Sequence, residues 1–463
     1  MSEKVKVNKM GTEKISKILL KIGIPMILSM VLQACYNIVD SVFVSNIPDT
    51  DKIAHLGEYS NTALTLAFPV QMLIIAFGIG TGVGVNALLS KSLGQKDREK
   101  VARTAGNGVV LGIIIYLCFF VFGLVGINAY LKSQTDDALI LSLGEKYLRI
   151  CTLVSFGVIL FSIYEKLLQS TGKTVYSTVA QILGAVTNII LDPIFIFGYF
   201  GLPAMGVTGA AYATVIGQIV SMLVAMFFHY SKNKEVPFGF KYFIPKAAII
   251  KEIYAIGLPA IIMQALMSFM TYGVNIIFGR VSKSAVTAYG IFYKIQQFIF
   301  FAGFGMRDAI TPIISFNYGM GSRKRVNEGI KFGLIYVEII MIVGIIILQV
   351  FAEPLVKIFG LSSETAVLCV RAIRIISPGF IFAGVNIAIQ GVFQALECGL
   401  GSLVVSLLRL CVIPLPCAWI FTNFANAEYL IWLAFPIAEI AAVVSALIFM
   451  IPARKKIAKV TTA

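Results

Sequence analysis

Charge is what this 463-residue chain has least of: 13% of its residues are charged and 58% are hydrophobic, with a mean hydropathy of +0.88. A soluble domain carries roughly 25% charged residues, so the composition excludes an ordinary water-soluble fold and places the chain in a bilayer. Histidine is nearly absent, and the two present, His55 and His229, lie far apart near the ends of apolar segments. A loop or interface role is expected for each, not a metal site. The cysteines Cys35, Cys118, Cys151, Cys369, Cys398, Cys411 and Cys417 show no paired or CxxC spacing. That argues against a disulfide framework or a zinc centre and for free, buried thiols. There is no Walker lysine, no carboxylate pair in a soluble cleft and no Ser/His/Asp set, so catalysis and ATP hydrolysis find no support.

What charge there is carries a formal excess of +15. The basic residues sit in short loops and at both ends, which is the pattern of a membrane protein's cytoplasmic loops rather than a face for nucleic acid. Apolar runs of at least about 18 residues mark candidate spans. Twelve occur, near 18–45, 60–90, 105–128, 143–168, 175–199, 206–230, 253–279, 285–316, 329–352, 366–394, 400–423 and 429–452. Irregular backbone is not viable against lipid, so all are expected to be helices. The lysine-rich start followed by an apolar stretch mimics a signal peptide. The stretch is longer than the about 7–15 residues of an h-region and no clear A-x-A site closes it, so it reads as a retained first span.

Alternate loops differ in charge. Lys4, Lys6, Lys9, Lys14, Lys17 and Lys21 precede or open the first span; Lys91, Lys96, Arg98, Lys100 and Arg103 follow the second. Lys232, Lys234, Lys241, Lys246 and Lys251 follow the sixth, Arg323, Lys324, Arg325 and Lys331 the eighth, and Arg454, Lys455, Lys456 and Lys459 the twelfth. The intervening loops hold only Lys52, Lys132, Arg280, Lys283 and Lys357. The positive-inside rule then puts both termini in the cytoplasm of a multi-pass protein of the cell membrane.

The chain also repeats itself. IGIPMILSM at Ile22–Met30 matches IGLPAIIMQ at Ile256–Gln264, a spacing of 234. Gln71 pairs with Gln296, GIG at Gly78 with GFG at Gly303, GQKDREKV at Gly94 with GMGSRKRV at Gly319, and YLRI at Tyr147 with AIRI at Ala372, all at a spacing of 225. Six spans per half give both halves the same orientation, a parallel repeat about a pseudo-twofold axis along the membrane normal. The expected fold is all-α, with two six-helix lobes, 1–235 and 236–463, joined by the polar cytoplasmic linker Ser231–Lys251.

Several polar residues stand in apolar runs. A carboxylate at the centre of a spanning helix costs about 2.5–3.5 kcal/mol on insertion scales. Gln33, Asn37 and Asp40 share one face of the first helix, and Asn188 and Asp192 one face of the fifth. Such carboxylates usually face the bundle interior and mark ion or proton paths; the alternative is a structural acid satisfied by Asn, Tyr or Thr on a neighbouring helix. Pro193 either loosens the backbone after Asp192 and frees carbonyls or merely kinks it. A hard cation takes several oxygen ligands, whereas a proton needs only a buried carboxylate, so spacing does not choose between Na⁺ and H⁺. In the second half Gln264, Thr271 and Asn275 form a stripe with Tyr272 beside it, and Tyr293, Lys294, Gln296 and Gln297 populate the eighth span. Arg307 and Asp308 are adjacent and so project differently; each is expected to find a partner on another helix, as a cytoplasmic gate or structural pair. GIGTGVG at Gly78–Gly84 matches a phosphate loop only superficially, because apolar helix flanks it on both sides. Close helix packing through Gly78/Gly82 and Gly80/Gly84 is the expectation.

YNIVDSVFV in the first span, NIILDPIFIFG in the fifth, GVTGAAYAT in the sixth and the paired basic loops resemble the multidrug and toxic compound extrusion (MATE) family, with its MepA-like multidrug efflux branch nearest. The likeness covers essentially the whole chain. It implies a V-shaped pair of bundles that expels organic cations and drugs in exchange for Na⁺ or H⁺, with no cofactor, no enzymatic activity and a monomer in the bilayer. Carried over, the cation site is Asp40, Asn188, Asp192 and Thr214, with Asn37 one turn before Asp40. The resemblance also implies a substrate cavity between the lobes, to which Gln33, Tyr36, Gln71, Gln264, Tyr272, Asn275, Tyr293 and Gln296 are assigned. Some members use an acidic residue of the seventh span, but Met267 stands there and the tenth span has no aspartate between Pro378 and Gln394, so the site is backed in the N-terminal lobe. A lipid or lipid-linked oligosaccharide flippase of similar architecture is the alternative; it would want a strongly cationic cavity, and the scarcity of buried basic residues, with Asp40 and Asp192 among the buried charges, weighs against it. A membrane-embedded enzyme would need catalytic groups clustered at one depth, and none is visible.

The orientation has a direct test. A cysteine substituted for Asp49 is expected to react with an impermeant reagent from outside intact cells, and one substituted for Lys96 is not. The reverse pattern would invert the topology.

Overall fold

The computed structural model of the chain describes residues 8–48, 56–359 and 361–459; His55 and the side chains of Tyr36, Asn37, Ile38, Asp40, Ser41 and Glu58 lie outside the described residues. Among the described residues every regular element is a helix. Eleven are long and apolar enough to cross a membrane, and a bent pair makes a twelfth. In chain order they are α1 (Ile15–Ser45), α2 (Leu56–Gly94), α3 (Arg98–Val125), the pair Ala138–Leu153 and Phe156–Gln169 taken together as α4, α5 (Thr174–Phe197) and α6 (Val207–Lys232). The second six are α7 (Ala247–Gly279), α8 (Lys283–Gly319), α9 (Arg323–Lys357), α10 (Ser363–Ala395), α11 (Gly399–Phe421) and α12 (Ala427–Ala458). The chain is a multi-pass membrane protein.

The chain divides into two compact units. The N-terminal unit comprises Val31–Leu89 and Asp97–Ile261, and the C-terminal unit Met1–Met30, Ser90–Lys96 and Ile262–Ala463. Both α1 and α7 therefore contribute residues to each.

In the N-terminal unit the glycines of α2 serve packing, as their spacing predicts. A Cβ on Gly78 would lie 3.2 Å from Ser162 Oγ and one on Gly82 2.8 Å from Lys166 Cγ, both on α4. Gly80 and Gly84 press on the backbone of α7 at Ile261 and Ile253. Between α5 and α6 the backbones are also close: a Cβ on Gly184 would overlap Ser221 Oγ and sit 2.5 Å from the Gly217 carbonyl. Without a hydrophobic driving force between helices in lipid, such small-residue contacts supply the packing attraction.

The fourth span, expected as one run, is bent by 43°. Val154 leaves helical geometry (φ −106°, ψ 19°), and Val154, Ser155 and Gly157 are weak helix formers in sequence. The bend sets Gly157 against the α6 backbone, where a Cβ would be 3.1 Å from Ile219 N. Buried Asn107 on α3 holds the linker: its amide donates to the carbonyls of Tyr242 (3.2 Å) and Ile244 (3.3 Å), and its oxygen accepts from Lys246 N at 2.7 Å. His229 is also structural, buried against Tyr164 and bonded to Asn233 at 3.2 Å.

In the C-terminal unit the basic loop residue Arg325 anchors the start of the chain. Its guanidinium donates to the carbonyls of Met10 (2.9 Å) and Glu13 (2.7 Å) and to Asn317 Oδ1 (2.7 Å). Lys91 pairs with Glu397 at 2.8 Å. All seven cysteines are free, but Cys35 and Cys118 are exposed rather than buried. Each lies on a spanning helix, where a soft apolar side chain is as comfortable against lipid as in the core.

The glycine contacts separate two substitutions. Gly184→Leu is expected to lower unfolding stability by about 1–3 kcal/mol or more by driving α5 from α6. Gly290→Ala, with no atom within 4 Å of the new Cβ, is expected to be neutral or stabilising by up to about 1 kcal/mol. Thermal melts of the purified variants read both, and equal losses would contradict this packing.

Candidate functional site

Asn188 and Asp192 lie one turn apart on the buried face of α5 that begins at Ser177, Ala180 and Gly184. They are 2% and 0% exposed, and Asn188 Nδ2 donates to Asp192 Oδ1 at 3.3 Å. Pro193 follows at once. It has no N–H for the Ile189 carbonyl, yet α5 runs through it unbroken to Phe197.

Thr214, 5% exposed, comes from α6. The two helices are antiparallel neighbours whose register is fixed at two places. Gly184 and Asn188 meet Gly217 at one, and Gly209 meets the Phe195 backbone at the other. Met205 N and Gly206 N also donate to the carbonyls of Phe195 (2.9 Å) and Ile196 (3.1 Å). That register brings Thr214 level with Asp192. Both Asn188 Oδ1 and Thr214 Oγ1 are buried and have no hydrogen-bond partner among the described residues. A buried polar oxygen without a partner costs roughly 1–3 kcal/mol, so two together beside a carboxylate form a ready set of oxygen donors. Asn37 and Asp40, expected here, have side chains outside the described residues.

Other expected site residues have identifiable neighbours. Gln33 accepts from Gln181 Nε2 at 3.2 Å across α1 and α5, and Gln71 donates to the Tyr147 hydroxyl at 3.2 Å. Tyr36 lies outside the described side chains. On α7, Tyr272 and Asn275 are exposed and Gln264 is half-buried; on α8, Gln296 is buried, Lys294 exposed, and Tyr293 half-buried beside Gln297 and Thr271. Gln181 and a buried cluster on α4 were not anticipated. In that cluster Lys166 donates to Gln169 Oε1 at 2.8 Å and Gln169 to Glu165 Oε1 at 3.0 Å. Its signal was available, since EKLLQ puts an acid and a base inside an apolar run.

Arg307 and Asp308 correct an expectation. They do not need separate helices: Arg307 Nε and Nη2 both donate to Asp308 Oδ1, at 3.0 and 2.8 Å. Adjacent Cβ atoms diverge, but the long Arg side chain curls back across the Phe304 ring, 4.8 Å below its guanidinium. Asp308 is 4% exposed, and α8 is tied to α10 beside it by Thr311 Oγ1 on the Gly391 carbonyl (3.3 Å) and Ser315 Oγ on the Ala395 carbonyl (3.1 Å).

Known proteins resemble the whole chain. The MatE family model matches residues 25–194 and 259–420. Multidrug export protein MepA of Staphylococcus haemolyticus is 25% identical over 418 residues, covering 90% of this chain and 89% of the relative. MepA of Staphylococcus aureus is 26% identical over 420 residues with the same coverage. Among solved structures, the outward-facing conformation of a multidrug resistance MATE family transporter of the MOP superfamily matches with a TM-score of 0.89 at 23% identity, covering 99% of each chain. A MOP superfamily transporter from Pyrococcus furiosus matches with a TM-score of 0.89 at 23% identity over 100% of both chains. At that identity the structural likeness establishes the fold.

The Arg307–Asp308 pair yields a prediction. Asp308→Asn leaves a largely buried guanidinium without its counter-charge and is expected to cost about 3 kcal/mol of stability. Transport per folded molecule is expected to keep its dependence on the driving ion. Equal expression with an altered ion dependence would instead make Asp308 a coupling residue.

Proposed function

The chain belongs to the MatE family, and from that premise we propose that it is a secondary active exporter, in which inward flow of Na⁺ or H⁺ drives amphipathic, often cationic, organic compounds out of the cell. The names of its staphylococcal relatives, multidrug export proteins, support the substrate class. Low specificity follows from a cavity lined by Met, Phe and Tyr, side chains that repack around varied ligands. The family is one of transporters rather than enzymes, and both termini are proposed to be cytoplasmic.

One observation supports the coupling site above the others: Asn188 Oδ1, whose amide reaches Asp192, and Thr214 Oγ1, at the same level of α6, are buried without hydrogen-bond partners among the described residues. Carboxylate, amide and hydroxyl oxygens are the donors a hard monovalent cation takes, and Asp40 and Asn37 of α1 complete the proposed set. A proton on one of the two acids would serve instead, because neighbouring carboxylates cannot both stay ionised in a buried site without a counter-charge. Filling the site relaxes it, and emptying it leaves charge and lone pairs uncompensated. Occupancy thereby becomes a force on α1, α5 and α6.

Asp40→Asn and Asp192→Asn are expected to fold as well as the parent or better and to bind drug. Neither is expected to drive ethidium against its gradient in proteoliposomes. With Na⁺ and pH gradients imposed separately on the parent protein, the gradient that drives efflux identifies the ion. Parent-like efflux from a purified, reconstituted Asp40→Asn would end the coupling assignment. Lost expression with normal transport per surviving molecule would make the acid structural.

A further inference from the structure

The C-terminal unit contains a buried ion pair that the site above does not use. Arg409 Nε on α11 donates to Glu439 Oε1 on α12 at 2.5 Å, the two side chains being 7% and 14% exposed. Asn386 on α10, fully buried, donates to Glu439 Oε2 at 2.8 Å and to the Glu439 carbonyl at 3.0 Å, while its own Oδ1 has no hydrogen-bond partner among the described residues. The guanidinium lies 5.3 Å above the Phe300 ring. Arg409 sits in a π-helical turn, Leu408–Val412, closed by Ile413 N on the Leu408 carbonyl at 3.2 Å. Such a turn inserts one residue into a helix and is frequent at functional positions.

The repeat says what this pair corresponds to. At the 225-residue spacing, Ala213, Gly217, Ser221 and Ala225 of α6 fall on Ala438, Ala442, Ala446 and Met450 of α12, and all eight are buried. Ser177, Ala180 and Gly184 of α5 fall on Ser402, Val405 and Arg409, again all buried. Past the π turn the inserted residue adds one to the spacing, and buried Asn188 and Asp192 fall on buried Pro414 and Ala418. Asp40, at the 234-residue spacing of the first spans, falls on Val274, which is 0% exposed. The acids and amide of the N-terminal set are thus replaced by Val, Pro and Ala. Thr214 becomes Glu439, and Gly184, the one position with no side chain, becomes Arg409.

We infer that the C-terminal unit carries, at the place equivalent to the N-terminal cation site, a cation of its own: the Arg409 guanidinium is tethered where the other unit takes an exchangeable ion. The electrostatics agree, residue by residue. By residue type, the proposed N-terminal set (Asp40, Asn37, Asn188, Asp192 and Thr214) has two carboxylates and no base, whereas the C-terminal set pairs its one carboxylate with a guanidinium. Arg409 is then the residue that leaves only one unit responsive to ions. Its removal is expected to convert Glu439 and Asn386, with the unused Asn386 Oδ1, into a second site for a small cation. The inference rests on reading Asn188, Asp192 and Thr214 as a cation site, and the experiment keeps the two apart.

Arg409→Ala is made in an Asp192→Asn background, and Tm of the purified full-length protein is recorded at alkaline pH in choline chloride, NaCl and methylguanidinium chloride at equal ionic strength. The background alone reports on the N-terminal reading: its failure would appear as a Na⁺ response that Asp192→Asn does not abolish. Adding Arg409→Ala is expected to lower Tm in choline and to introduce a gain in Tm with Na⁺ or methylguanidinium. Adding Glu439→Gln is expected to remove that gain. No gain with either cation, or a gain that survives Glu439→Gln, overturns the inference. If Arg409→Ala gives no folded protein, yield decides: recovery with Glu439→Gln supports an uncompensated carboxylate as the defect, and continued failure makes the pair a packing element and overturns the inference.

Discussion

No water reaches the interior of a bilayer to solvate a polar group, and each element of this chain answers to that condition. Backbone groups are satisfied within helices, and side chains that carry charge into the interior must be balanced there. Arg307 with Asp308 and Arg409 with Glu439 balance within the protein at 2.5–3.0 Å. The Lys166–Gln169–Glu165 chain does the same through an intervening amide. Asp192 accepts from Asn188 Nδ2 at 3.3 Å, and the same amide's Oδ1 is buried with no hydrogen-bond partner among the described residues.

The same condition explains how the helices are packed and where they break. With lipid as apolar as leucine, attraction between helices comes from close backbone approach, and Gly184 against Gly217 brings the two helices bearing Asn188 and Thr214 to their nearest approach. A bulkier residue at either place would part the polar groups it brings level. The departures from regular helix sit beside polar function for a related reason. The bend at Val154 lets Gly157 reach α6, and the π turn at Leu408–Val412 carries Arg409. Each changes which side chains face inward without exposing backbone to lipid.

Much of this was legible in the chain. Long apolar runs announced the spans, the 225-residue spacing the repeat, and the glycines of Gly78–Gly84 their role in close helix packing. Asn188 and Asp192 were visible because a polar residue in an apolar helix is conspicuous, whereas Thr214 entered only through the family resemblance. What stayed hidden depended on local geometry that residue types do not encode. The curl of Arg307 back onto its neighbour is a rotamer choice, and the bend in α4 depends on Gly157 finding the α6 backbone. The role of Arg409 could not be read from its own span, because Glu439, its partner, lies thirty residues away on another helix. The π turn at Leu408–Val412, invisible in composition, shifts the register of α11 against α5 by one residue beyond Arg409.

The repeat and the charges together carry one more step. Two halves built to the same pattern would, if both needed an ion, give a transporter two independent costs to relieve and no single switch. A half whose buried carboxylate is already matched by an arginine has the same energy whatever the solution holds. On the proposed reading the other half does not, since the energy of a site built on Asp40, Asn188, Asp192 and Thr214 falls by whatever a cation or proton contributes there. On the proposed reading, ion concentration on either side of the membrane acts on one half while the other holds its packing, and only a difference of that kind can turn an ion gradient into directed motion of a bound drug. The buried acid that costs most to place in the bilayer is, on this argument, the one whose cost the transported ion removes.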